Sequence, residues 1–381
     1  DDNDNVGLSI DDARTINSVL AEVKAIDPAC GSGAYLLGLL HELVRIHAKL
    51  STTAEDLTES RHVMKLRIIS RSIYGVDIDR FATNIAMLRL WLSLSVEAHE
   101  PLPLPNLDFN IETGDSLLAP DPSAYVLDVT GAIDRADALA LKKEAYLEAT
   151  GGVARELRAE IKEEEGEIRK LLRKQNDEMG SVDFRVHFAS VFTKNGGFDI
   201  VLANPPYVRQ EDLLPSFKRS LTANYQTGKS GAGVVKRSDL YCYFYVRANQ
   251  LLRTNGVMAF ICSNSWLDVD FGVPLKEYMK NNQHQISVID SSKQRQFVSA
   301  AINTIISISK KGRGRSEEVK FINLKGDFAH SLSDPEMRSE HLIKKDDLDP
   351  KEKWLIFTRG PKIYFQVLDC MQFDRLDKFA L

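Results

Sequence analysis

The chain has only four cysteines in 381 residues, too few for a disulfide framework. None of Cys30, Cys242, Cys262 and Cys370 stands in a C-x-x-C pair, which argues against a structural zinc site. Reduced thiols and the lack of a leader-like start point to the cytoplasm. No apolar run approaches the ~20 residues that span a bilayer, so no membrane partner is expected. Positive charge is not in excess either: the formal net charge is −5. Nucleic-acid-binding domains are often basic, so this balance suits a catalytic piece whose recognition domain lies elsewhere.

The chain does contain several short apolar runs that each end in a chemically useful group. The most informative is residues 198–207, FDIVLANPPY. Phe198, Ile200, Val201, Leu202 and Ala203 suit a strand buried on both faces. Pro205 and Pro206 lack N–H groups and fix φ, so the strand must stop in a stiff backbone. Asn204 is thereby held at the carboxyl end of the strand, its amide beside the following carbonyls. That array of acceptors suits an amine donor, and the flat ring of Tyr207 suits stacking on a planar group. An adenine lifted from a duplex has both features.

Upstream, residues 26–37 read IDPACGSGAYLL, a strand end, a glycine turn and the start of a helix. Gly31 and Gly33 permit a sharp bend and close approach of a ligand, and the amides of a helix start can hold a polar cofactor. No Lys follows the glycines, so this is not a Walker loop, and Leu36 replaces the third glycine of the dinucleotide fingerprint. Residues 73–79, IYGVDID, form a second strand end, where Asp77 is placed to accept the hydroxyls of a ribose. Ile78 is placed to lie against an adenine face. Residues 111–118, IETGDSLL, put Asp115 in a third turn, where a carboxylate can accept from an exocyclic amine.

DPACGSG, GVDID, GDSL and NPPY, in that order, resemble the motifs of class I S-adenosylmethionine-dependent methyltransferases that act on adenine N6 in DNA. The resemblance spans roughly residues 20–310. Single-chain type IIG restriction enzymes and phage-defence methyltransferases are the most similar group, since the cofactor motifs precede NPPY and a long region follows it. The resemblance implies a Rossmann-like α/β fold with a mostly parallel seven-stranded sheet, helices on both faces and a helical insertion. It implies S-adenosyl-L-methionine contacts from Asp27, Ala29, Cys30, Gly31, Gly33, Asp77, Ile78, Asp115 and Ser116. Asn204, Pro205, Pro206 and Tyr207 would hold the target adenine, and Phe297 would complete the stack on its other side. Expected partners are double-stranded DNA and a target-recognition domain or specificity subunit. Motifs of the NPPY type also resemble those of RNA and protein-glutamine methyltransferases, and an inactive cofactor- or DNA-binding module is the non-enzymatic alternative.

The expected organisation is a cofactor half over 1–120, a helical insertion over 121–195, a catalytic half over 196–325 and a C-terminal extension over 326–381. Family members carry a further cofactor segment upstream of the first motif, and none is recognisable here. Residues 8–25 are expected to form a helix packing over the cofactor. Residues 131–180 combine helical apolar spacing with interleaved charges, which reads as a helical hairpin. Its Arg169, Lys170, Arg173 and Lys174 are candidate DNA contacts. Lys229, Lys236 and Arg237 sit in a Gly- and Ser-rich segment and would suit phosphates. The aromatic stripe Tyr241, Phe244 and Tyr245 reads as core. Glu318-Val319-Lys320 has the E-x-K form of a nuclease signature but no upstream Pro-Asp partner, and is assigned to a strand.

Overall fold

The structure is a computed structural model that describes residues 7–96, 106–122, 132–172, 182–226, 234–291, 303–312, 318–326, 328–361 and 363–365. Its strands are β1 (Ala25–Asp27), β2 (Ile73–Asp77), β3 (Ile111–Thr113), β4 (Phe198–Ala203), β5 (Leu252–Ser263), β6 (Gln283–Ser291), β7 (Thr304–Lys311), β8 (Glu318–Leu324) and β9 (Arg338–Lys344). They form one sheet in the order β3-β2-β1-β4-β5-β7-β6-β8-β9. The seven-stranded, mostly parallel sheet implied by the sequence is thus corrected to a nine-stranded mixed one. Five pairings are parallel, and β5–β7, β6–β7 and β8–β9 are antiparallel. The added strands have a physical cause. Val319, Phe321, Ile322 and Leu324 of β8 are buried, so β8 must be covered and paired on β6. β9 then closes its other side as a polar edge strand.

The chain runs β1, β2, β3 outward on one side, then returns to place β4 and β5 on the other side of β1. The order reverses between β1 and β4. At such a switch point the loops leave in opposite directions and open a crevice at the carboxyl ends of the strands. All the motif residues of β1, β2, β3 and β4 fall at that end.

The largest hydrophobic cluster lies against β1, β2, β4, β5, β6, β7 and β8, and a second one covers Ile73 and Ile111 of β2 and β3. Tyr74, Phe188, Phe192 and Phe198 meet edge-on, with centroids 5.5–5.8 Å apart. The largest cluster also includes Leu348, Trp354 and Phe357 from the region after β9. That region is anchored by charge as well. Asp290 at the end of β6 is fully buried, and Arg359 grips it with Nε at 2.5 Å and Nη2 at 3.1 Å. Arg359→Ala would leave that carboxylate buried without its charge partner, and of the described residues only the Thr358 hydroxyl, at 3.4 Å, would still donate to it. The expected loss is about 2–3 kcal/mol, below the usual ~3–5 for a fully buried pair because Arg359 is itself partly exposed. Urea unfolding checks it, and a change below about 0.5 kcal/mol, the size of an ordinary surface effect, would show the pair to be idle.

Between β3 and β4 lie helices Ala132–Glu148 and Gly151–Leu172. They pack through Leu139, Tyr146, Ile161 and Ile168 against Phe109. The side chains of Arg169 and Lys170, and all of Arg173, Lys174 and Lys229, lie outside the described residues.

The expected helix near the amino end is present as Ile10–Glu22. Its Ala13 packs with Leu50 and Ala54, and Asn17 bonds His47 at 2.6 Å. Those residues belong to the far end of helix Ala34–Thr53 or lie just past it. At ~1.5 Å per residue, Leu50 is ~25 Å along the axis from Gly33. Among the described residues no helix is long and apolar enough to cross a membrane, and no cluster of His, Cys, Asp and Glu could hold a metal ion.

Candidate functional site

The first loop is shaped by glycine. Gly31 and Gly33 have φ of 52° and 79°, a region side chains rarely adopt. A Cβ on Gly33 would also stand 2.8 Å from that of Ala86, so only glycine lets the two segments touch. Gly75 is confined in the same way by Leu36, Cys30 and Ile111, with the nearest atom 2.8 Å from a hypothetical Cβ.

Hydrogen bonds tie the three motif loops of the cofactor half together. The Cys30 amide donates to the Val76 carbonyl at 2.9 Å. The Gly31 amide donates to Asp77 Oδ2 at 2.8 Å, and the Asp79 amide donates to Asp77 Oδ1 at 2.9 Å. Ser116 is buried, and its hydroxyl donates to the Pro28 carbonyl at 2.7 Å. It therefore joins the third loop to the first. Asp115 Oδ1 accepts from the amides of Leu117 and Leu118 at 2.7 and 2.9 Å. The buried Cys30 thiol packs beside Gly75, and burial, then Asp27 and Asp77, push its pKa up, so this is an inert thiol. Ile78, in contrast, is 70% exposed at the end of β2, an apolar surface with no protein cover.

Asp27 is the electrostatic centre of this half. It is 1% exposed, and Oδ1 accepts from the Ala29 amide at 2.9 Å. Burial raises its pKa to about 7, the Ala29 N–H works against that, and the charge of Asp77 adds to it. A buried acid so disfavoured as an anion is a place where a cation would be welcome.

Across the switch point, β4 pairs with β1 in the register Ile26 with Val201. Asn204 and Tyr207 therefore emerge close to Asp27. Pro205 is buried and Pro206 exposed. The Tyr207 hydroxyl donates to Asn204 Oδ1 at 2.6 Å and approaches the Ile261 carbonyl of β5 at 3.3 Å. Burial raises the Tyr207 pKa, with smaller contributions from Cys262 and Tyr35, so it is a neutral donor. The segment after NPPY is fastened back: the Gln210 amide donates to Asp239, and the Leu240 amide to the Val208 carbonyl.

The structure thus brings together the expected residues of all four motifs. Phe297 lies outside the described residues. Lys236 and Arg237 are exposed. Tyr241, Phe244 and Tyr245 are buried in the core, and Lys320 pairs with Glu340 across two strands. Two residues escaped motif reasoning. Tyr35, in the first turn after Gly33, is 36% exposed; it feels the charge of Asp27 and is itself felt by Tyr207, so it stands between the halves. Arg247 is a charged residue inside the wholly buried helix Leu240–Leu251. A lone Arg in an apolar helix was the available signal for it.

Comparison with known proteins bears on the family and the fold. The Type II restriction enzyme and methyltransferase RM.Eco57I of Escherichia coli is 23% identical over 302 residues, 75% of this chain and 24% of that protein. The adenine-specific methyltransferase PglX of Streptomyces coelicolor is 26% identical over 304 residues, 73% of this chain and 20% of that protein. The chain therefore spans a quarter or less of the length of these relatives. A solved structure of the Type ISP restriction-modification enzyme LlaGI, bound to a DNA substrate mimic, shares the fold with a TM-score of 0.51 and 15% identity. That match covers 94% of this chain and 26% of the enzyme. The model of the Eco57I restriction-modification methylases matches residues 71–297, from the start of β2 past the end of β6 and thus over more than half of the chain, and the chain belongs to that family.

Proposed function

We propose that the chain is the catalytic region of a site-specific DNA adenine-N6 methyltransferase of a restriction–modification or phage-defence system, using S-adenosylmethionine. The observation that carries this reading is the pairing across the switch point. A buried acid with no salt-bridge partner among the described residues lies on β1, and a rigid acceptor array with an aromatic ring follows β4.

The residues fit the cofactor. Asp27 suits its cationic methionine end, Asp77 its ribose, the exposed face of Ile78 its adenine ring, and Asp115 the adenine amine. S-adenosylmethionine supplies a methyl group on an activated sulfonium. The protein's work is then placement. Asn204 Oδ1 and the Pro205 carbonyl accept the two hydrogens of the target amine and turn its lone pair out of conjugation. No strong base is needed before attack, because the amine acquires acidity only as the new bond forms. Tyr207 stacks on the extruded base and offsets part of the few kcal/mol that unstacking costs. Most of the acceleration comes from orientation and preorganised dipoles. Double-stranded DNA is the proposed substrate, with sequence read by a target-recognition domain or specificity subunit.

The deciding experiment offers S-adenosylmethionine labelled in the methyl group together with unmethylated DNA, RNA and a release-factor protein. Label is expected in DNA, as N6-methyladenine after nucleoside digestion. Label confined to RNA or to protein glutamine would overturn the assignment.

A further inference from the structure

Arg247 is 1% exposed. Its guanidinium donates from Nη2 to the Leu117 carbonyl at 3.0 Å and the Ala119 carbonyl at 2.5 Å, from Nη1 to the Pro120 carbonyl at 3.0 Å, and from Nε to the Tyr225 hydroxyl at 3.0 Å. Three of these acceptors belong to the loop that begins at Asp115. Asn224 also reaches this loop, donating to the Leu118 carbonyl at 3.4 Å.

One contact matters more than the rest. The Leu117 carbonyl and the Leu118 amide belong to the same peptide unit. That unit is planar and trans, so its C=O and N–H point to opposite sides. On one side the carbonyl accepts from Arg247, and on the other the Leu118 N–H donates to Asp115 Oδ1 at 2.9 Å. A cation on the carbonyl oxygen polarises the peptide and strengthens its N–H as a donor. The guanidinium thus acts on the carboxylate through one peptide group, with no direct contact. A planar fork that fits several carbonyls at once is a task for Arg rather than Lys.

We infer that Arg247 is a positioning residue for the cofactor's adenine, setting the Asp115 carboxylate through the Leu117–Leu118 peptide. This rests on the reading of Asp115 as the acceptor for the adenine amine. It also joins the cofactor loop to helix Pro215–Gln226, which follows NPPY and carries Tyr225 and Asn224.

The test compares the affinity of the purified protein for S-adenosylhomocysteine with that for its inosine counterpart, which lacks the amine. The unaltered protein is expected to prefer the adenosyl form by roughly tenfold to hundredfold, the size of one hydrogen bond to a charged acceptor. Arg247→Gln is expected to reduce that preference severalfold, because the Leu118 N–H loses its polarisation and only the Leu117 N–H still holds Oδ1 at full strength. Tyr225→Phe removes an Arg247 contact that is not part of the relay, so it should lower the melting temperature and keep the preference. A folded Arg247→Gln that retains the full preference overturns the inference, and so does a Tyr225→Phe that loses it equally. Should Arg247→Gln not fold, Arg247→Met, which keeps the length but carries no cation, takes its place: a preference reduced severalfold supports the relay, and an unreduced one overturns it. If the unaltered protein binds neither compound, the proposed function has failed rather than the role of Arg247.

Discussion

Asn204→Ala is expected to lower methyl transfer by about 10²–10³-fold, the usual cost of removing one preorganised dipole from a reacting centre. The side-chain oxygen is one of only two acceptors proposed for the target amine, and the Pro205 carbonyl alone cannot hold both hydrogens. Cofactor affinity should stay essentially unchanged, because the cofactor contacts are assigned to loops after β1, β2 and β3. The substitution is also mild for the fold. Asn204 is only half-buried, and the Tyr207 hydroxyl that donates to it keeps the Ile261 carbonyl as an acceptor. Asn204→Asp keeps an acceptor in place and should retain a larger share of the rate. Single-turnover transfer to DNA, with calorimetry of S-adenosylhomocysteine binding alongside, separates the two effects. Transfer by Asn204→Ala within about tenfold of the unaltered protein would be too small a loss for a dipole acting on the reacting atoms. The acceptor role would then fall.

The residues of this site were legible in the sequence because each strand end is written locally. Ala25-Ile26-Asp27, Ile73 to Asp77 and Phe198 to Asn204 are short apolar runs that stop at a polar residue, glycine or proline, and those stop signals act on the backbone where they stand. The limits of the reading have equally physical causes. β9 reads Arg-Ser-Glu-His-Leu-Ile-Lys, half-exposed at an edge, so it carries no apolar alternation to announce a strand. Ser116 is marked by its motif, whereas the partner of its hydroxyl, the Pro28 carbonyl 88 positions away, is not written locally. Arg247 shows the same limit more strongly. Its carbonyl acceptors are 127 to 130 positions upstream, and nothing in the local sequence names them. Placement of the Ile10–Glu22 helix was likewise a tertiary matter, decided by where helix Ala34–Thr53 offers a free apolar face.

Affinity for S-adenosylmethionine is expected to rise about tenfold per pH unit up to a pH of about 7 and then level off. The cause is Asp27. In the empty protein burial raises its pKa to about 7, well above the ordinary carboxylate value, so at pH 6 it is mostly protonated. A bound cation favours the carboxylate, and the proton must leave. Binding therefore releases close to one proton at pH 6 and almost none at pH 8. The sign for the empty protein is the reverse. A group that holds its proton more tightly when folded stabilises the fold at low pH. That contribution is lost as pH rises from the unfolded value near 4 towards 7, so the melting temperature of the empty protein should fall over this window while that of the loaded protein does not. Above a pH of about 8 the cofactor's own amino group loses its proton, and affinity should decline again. Asp27→Asn removes the titrating group, so it should flatten the profile below pH 7 and weaken binding at pH 7.5. Calorimetry in two buffers of different ionisation enthalpy counts the released proton directly. A dissociation constant that is flat from pH 5.5 to 7.5, with no proton released at pH 6, would remove Asp27 from the cation site.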